Sequence, residues 1–411
     1  MTAVAGLRGT GDWGTDERPK NFRESILFRN PNGTAPLTAL MSKMSSDSTN
    51  DSEFSWWDEP NDIIRLQLNG ALAAGDSVIT VDSGDPSTSD PTAVYGTATH
   101  LKPGDILMVE PTAGEPADWS SVEMVAVVEV ISATKFKATR GAAGTTAGSI
   151  NDDAYLTKIG SAYGEGTPSP KAVSRNPVKY YNYCQIFKTP FELTNTAKET
   201  NLRTGDPLKN DKKRKMFDHS RDLEMAFLFG VRNETTDANG KPLRYTGGLR
   251  SFLPASNVKI KSSDYSQARD LIDDLYQVFD YDTEAGDQRI VFAGNGALNV
   301  LNKIADNSGD VNFTEKISMY GMNLRELMLP QGTLYIKTHP LMNRHGLYKN
   351  SMFVIDASSL RYRHMRDTKS EDHIEGNDED THKGQWLTEA GLEVRYGGTT
   401  CAYIGNMSTS V

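Results

Sequence analysis

Residues 206–231 read DPLKNDKKRKMFDHSRDLEMAFLFGV, and this stretch decides the fold. Asp206 is a helix-capping residue, and Pro207 after it suits the first helical position, where no backbone donor is needed. Met216, Ser220, Leu223, Phe227 and Val231 then recur every three or four residues, and the pattern stops before Asn239-Gly240. The spacing predicts one long helix over 207–232, close to ~40 Å at 1.5 Å per residue. Lys209, Lys212, Lys213, Arg214 and Lys215 crowd its first half. Positive charge there opposes the helix dipole, a small cost that an acidic neighbour or nucleic acid would offset; a solvated face is the plainer reading.

Upstream the signals change from helical to extended. Ile63 to Leu68, Asp76 to Val81, Ile106 to Val109, Val122 to Ile131 and Lys135 to Arg140 are short runs rich in β-branched residues, with Gly, Pro and Asp among them. They predict an antiparallel barrel or sandwich of five or six strands. Lys179 to Phe187 reads as a further strand returning to the main body. Residues 141–148 and 160–170 read as connections. Before all this lies an arm of about fifty residues, punctuated by Gly and Pro and dotted with Phe22, Ile26, Leu27, Phe28, Leu37, Leu40 and Met41. Such a segment cannot bury its own apolar side chains and needs another surface.

Downstream a compact unit follows. Ala268, Leu271, Ile272, Leu275 and Val278 mark an amphipathic helix, residues 289–293 a buried strand and 297–304 a second helix. Residues 333–337, 351–355, 361–366, 391–396 and 401–404 read as strands. The class is α+β with a large all-β insertion.

The composition excludes several functions. Lys plus Arg number 44 and Asp plus Glu 54, a net charge of −10, unsuited to wrapping nucleic acid. Cys184 and Cys401 lie far apart in no metal-binding or redox spacing. No apolar run approaches the roughly 20 residues of a membrane span or the core of a leader, so a soluble chain used without export is expected. Gly294-Asn295-Gly296 follows a strand as a dinucleotide loop would, but Asn299 stands where a third Gly belongs. A tight strand-to-helix turn explains it. His364, His373 and His382 fall nine apart around the acidic stretch 371–380, a spacing that fits neither a helix face nor alternate strand positions. A solvated charged loop is expected there. No catalytic, cofactor-binding or metal-ligating residue is assigned.

The order of elements is more informative than any motif. The arm, with NPNGTAPL at 30–37, the β excursion, with LKPGD at 101–105 and RGAAGTTA at 140–147, the helix over 207–231 and the closing QWLTEAGLEVRY at 385–396 resemble the major capsid protein of tailed bacteriophages. This is the Hong Kong 97-type fold, here with a β-domain in the extended loop. The resemblance implies an arm over 1–52 and an extended loop over 53–193 with the insertion at about 70–160. It implies a peripheral domain over 194–255 carrying the spine helix, an axial domain over 256–345, and return strands over 346–411 completing both.

The implied function is a non-enzymatic shell subunit that self-assembles as hexamers and pentamers of an icosahedral head around double-stranded DNA. Such a subunit binds the DNA without reading its sequence. It needs no cofactor and no membrane, and would reside in the virion capsid after assembly in the host cytoplasm. Its partners would be itself, a scaffolding protein, the portal and a decoration protein; no long charged helix precedes the arm, so a separate scaffold is expected. Lys209, Lys212, Lys213, Arg214 and Lys215 become candidates for contact with a neighbouring subunit or the genome. The competing readings are a tail, decoration or encapsulin-like shell protein and, remotely, a nucleotide-binding enzyme around Gly294.

Overall fold

The computed structural model describes residues 45–59, 64–82, 97–111, 121–174, 177–200, 205–262, 264–265, 268–308, 313–319 and 322–408. The arm expected over 1–52 therefore lies outside the described residues up to 44. Its end, Ser46–Ser48, pairs in parallel with Tyr362, Arg363 and His364 of the same chain.

The alternation of apolar residues in four consecutive-looking strands builds the body. In Gln288–Ala293, Ile290 and Phe292 face one core while Val291 and Ala293 face another. Gly332–Thr338, Met352–Ile355 and Ala402–Gly405 split the same way: Tyr335, Phe353, Ile355 and Tyr403 on one side, Leu334, Ile336, Met352, Val354, Ala402 and Ile404 on the other. Strands with period-2 side chains that are apolar on both faces must lie between two layers. They do so in a seven-stranded mixed sheet ordered 258–260, 402–405, 352–355, 288–293, 332–338, 322–329, 313–319. Helices Ala268–Leu275 and Asn295–Ser308 cover one face through Leu271, Leu275, Ala297, Val300, Leu301 and Ile304.

The other face meets the long helix, Pro207–Phe229. Asp206 caps it as expected, accepting from Leu208 N and Lys209 N at 2.9 and 3.3 Å. Gly230 ends it, packed against the Ala226 and Thr246 carbonyls with no room for a Cβ. Leu223, Phe227 and Leu228 enter the core beside Phe187, Leu360, Ala390 and Leu392 of a second, four-stranded sheet. That sheet runs Ser46–Ser48, Leu360–Asp372, Thr381–Val394, Gln185–Thr194. Its central hairpin is far longer than the two short strands expected at 361–366 and 391–396. The outer halves are polar and half-exposed, so backbone pairing rather than apolar alternation carries the strands to Asp372 and from Thr381.

The β excursion leaves the body on a two-stranded antiparallel ribbon, Glu53–Asp58 with Val178–Tyr183. Beyond it, six antiparallel strands run 65–67, 155–161, 105–109, 124–130, 135–142, 78–80. The two outer strands close on each other through the Leu68–Val81 bridge and the Asn69 N to Thr80 O bond of 3.0 Å. The result is a closed barrel filled by Leu66, Ile79, Leu107, Val125, Phe136 and Leu156. Strand Tyr155–Ser161, the ribbon strand Glu53–Asp58 and the hairpin Phe313–Met319/Met322–Leu329 were not expected from sequence. The α+β, Hong Kong 97-like order of arm end, ribbon, inserted barrel, spine helix, α/β unit and closing strands is the one the chain adopts.

Candidate assembly surface

The root of the ribbon is its best-built part. Glu53–Asp58 buries Phe54 and Trp56 and turns Ser55 and Trp57 outward, with Trp57 62% exposed. Trp56 stacks on Phe54 and Tyr180 and meets the Phe252 ring at 5.7 Å. Asn182, fully buried on the returning strand, is the polar hub. Its Nδ2 donates to Leu392 O at 2.7 Å, Gly247 O at 3.0 Å and Thr246 Oγ1 at 3.2 Å. Its Oδ1 accepts from Gly247 N at 2.7 Å and Tyr183 N at 2.8 Å. One side chain thus ties the ribbon to the long hairpin and to the segment after the spine helix. Arg232 adds a second tie, donating to Tyr181 O at 2.7 Å with its guanidinium over the Tyr181 ring. Gly391 lets the layers meet: a Cβ there would lie 2.6 Å from Tyr183 O and 2.7 Å from the Phe54 ring.

The spine helix is fixed to both sheets by buried polar contacts. His219 bridges Thr189 Oγ1 at 2.9 Å and Thr388 Oγ1 at 2.7 Å, and burial lowers its pKa. Glu224 and His339, both fully buried, meet at 2.6 Å.

The basic cluster does not act as one unit. Lys212 is committed to its own chain: its Nζ reaches both Asp372 oxygens at 2.8 and 3.0 Å and lies over the Phe191 and Trp386 rings, while Trp386 Nε1 donates to its carbonyl. Lys209 is 86% exposed and 3.7 Å from Asp206, a pair of little energetic weight. Lys213 and Arg214 are exposed and Lys215 half-buried, and among the described residues none has an ion-pair partner.

The arm end sits on the same sheet through charge, with Asp47 3.3 Å from Arg363 and 3.8 Å from Arg361. Arg363 also bonds the buried Glu393 at 2.5 Å.

The other residues weighed from sequence fall into place. The Gly294 turn is filled by its own chain: Cβ atoms at Gly294 and Gly296 would strike Lys349 O and Asn350 Oδ1, and Asn295 N donates to Asn343 Oδ1 at 2.5 Å. Its own chain therefore occupies the loop, as in a tight strand-to-helix turn. Cys184 and Cys401 are free and buried; burial pushes the Cys184 thiol up to about 12. His364 stacks on Tyr362, away from the other two histidines of the acidic segment.

His373 and His382 are brought together, against the expectation from spacing, because the hairpin turns between them; their ring centroids are 4.8 Å apart. Glu375 joins them, 3.0 Å from His373 Nδ1. The His373 ring, then the backbone N–H groups of Glu375 and Lys383, hold the Glu375 carboxyl at about 2. Among the described residues no helix is long and apolar enough to cross a bilayer.

Among the described residues the best-defined features are a spine helix, a rooted ribbon and a barrel beyond it. The model of the SU10 major capsid protein family matches residues 5–408, and the chain belongs to that family. It is 27% identical over 388 residues to a major capsid protein of Pseudomonas phage PaMx41, covering 92% of this chain and 87% of that one. Among solved structures it is similar to the capsid of a native GTA particle, at 9% identity and TM-score 0.46 over 98% of this chain and 100% of that one. It is also similar to Microbacterium phage Oxtober96, at 12% identity and TM-score 0.45 over 95% and 96%. The assignment rests on the family match, which implies a structural role in the capsid of a phage virion.

Proposed function

We propose that the chain tiles a closed icosahedral head as hexamers and pentamers, assembled in the host cytoplasm around double-stranded DNA. The observation that carries this reading is the rooted ribbon. Among the described residues Glu53–Asp58 and Val178–Tyr183 form a sheet only with each other, yet their base is fixed by Asn182, Arg232 and the Trp56 stack. A ribbon held firmly at one end, with Trp57 facing out and a whole barrel beyond it, suits reaching across to a sister copy. Weak contacts repeated over many copies then sum to a stable shell.

In this reading residues 1–52 are the arm and 53–193 the extended loop. Residues 194–255 form the peripheral domain, 256–345 the axial domain, and 346–411 return to both. Lys213, Arg214 and Lys215 face a neighbour or the genome, while Lys212 serves the subunit itself. A scaffolding protein, the portal and a decoration protein are the further partners. The acidic balance of −10 suits a wall that contains DNA without gripping it. Sedimentation and negative-stain microscopy of the expressed chain test the reading: closed particles are expected, and tubes or small soluble oligomers would replace it with a tail or decoration role.

A further inference from the structure

We propose that His373, Glu375 and His382, at the turn of the long hairpin, form a binding site for one divalent zinc-class cation. The candidate donor atoms of the three side chains lie within 4.8 Å of one another. Two imidazoles and a carboxylate are a donor set that zinc takes readily, and they leave a fourth position for water. Donors around a tetrahedral zinc stand roughly 3.4 Å apart, so closing the set needs a movement of about 1–1.5 Å. His373 can supply it, since its side chain is 73% exposed.

The rest of the triad is already held. His382 is buried on strand Thr381–Val394, and among the described residues no hydrogen bond engages its ring, so its nitrogens are available. Glu375 accepts from Lys383 N at 3.1 Å through Oε2, which leaves Oε1 toward His373. This second hydrogen bond orients the carboxylate as supporting partners orient metal ligands elsewhere.

Two further observations point the same way. His373 holds φ at +61°, the left-handed region, which places its ring back over the hairpin against His382. Residues 371–383 also carry six acidic side chains against one lysine, a local field that draws cations. Neighbouring charges are otherwise engaged: Asp372 with Lys212, and Lys383 with Glu379 and Glu192. A bound ion would therefore clamp the turn at 373–380 to a strand that packs against the spine helix. The inference needs only one chain and stands apart from the shell reading.

The test is zinc binding by the full-length chain, by calorimetry and by elemental analysis after dialysis, with Co²⁺ as a spectroscopic stand-in. One ion per chain is expected, with a Co²⁺ visible spectrum of nitrogen and oxygen ligation. His373→Asn is the safe variant, because the residue is exposed and Asn tolerates positive φ. It and Glu375→Gln should each weaken binding at least about tenfold, whereas His364→Asn should leave it unchanged. Less than one-fifth of an ion per chain, or a zinc affinity within threefold of the parent in the His373→Asn/Glu375→Gln double variant, would overturn the site.

Discussion

Replacing Asn182 by Leu keeps the branched shape of the side chain, with somewhat larger methyl groups, and removes every hydrogen bond it makes. Tyr183 N, Gly247 N and Leu392 O lose this partner, and Gly247 O keeps only a 3.5 Å contact from Thr246 Oγ1. The site is fully buried, so water does not replace the lost bonds. Each orphaned buried group costs about 1–3 kcal/mol; local relaxation and the apolar gain of Leu recover part, leaving a net loss of about 3–5 kcal/mol. Urea unfolding of the unassembled subunit reads this as a lower midpoint at unchanged slope. Hydrogen exchange should speed up in 53–58 and 178–183 before it does so in the spine helix. A loss under about 1 kcal/mol, or exchange unchanged in the ribbon, would refute the claim that Asn182 roots it.

Three further outcomes follow from the same geometry. Because burial lowers the His219 pKa below its usual 6.5, the folded chain resists a proton that the unfolded chain accepts. Its contribution is whole above about pH 6.5 and is lost as pH falls through the folded value; His219→Gln should flatten that acid-side slope, and a slope unchanged by the variant would assign it to other groups. Gly391→Ala drives a methyl into Tyr183 O and the Phe54 ring, and should cost about 1–3 kcal/mol with altered Trp56 fluorescence; a neutral result would mean the layers are looser than they stand here. Neutralising Lys213, Arg214 and Lys215 together should change subunit stability by less than about 0.5 kcal/mol while shifting the salt dependence of assembly or packaging, and unchanged assembly and packaging would end their contact role.

The sequence was legible where local chemistry and tertiary context agree. Asp206-Pro207 and the three-to-four spacing marked the spine helix, and β-branched runs between turn residues marked most of the barrel. Legibility failed where pairing depends on distant partners. Glu53–Asp58, reading EFSWWD, has no β-branched residue and becomes a strand through Val178–Tyr183 far along the chain. Met322–Leu329, reading MNLRELML, is rich in helix formers, and its strand neighbours override them. The basic cluster was visible as composition, but only the fold shows that Lys212 belongs to Asp372. Asn182 lies within the stretch 179–187 that reads as a strand, but nothing in the sequence marks it as a buried polar hub. His373 and His382 stand nine residues apart, a spacing that matches no single element, and a hairpin turn between them is what joins them.

The central claim is that this chain is a wall unit whose ribbon and barrel do their work on sister copies. A particle reconstruction at secondary-structure resolution tests it most directly. It should show closed shells in which the ribbon of one subunit crosses onto the body of the next. A reconstruction in which ribbon and barrel touch only their own subunit, or a chain that forms no closed particle, would contradict it.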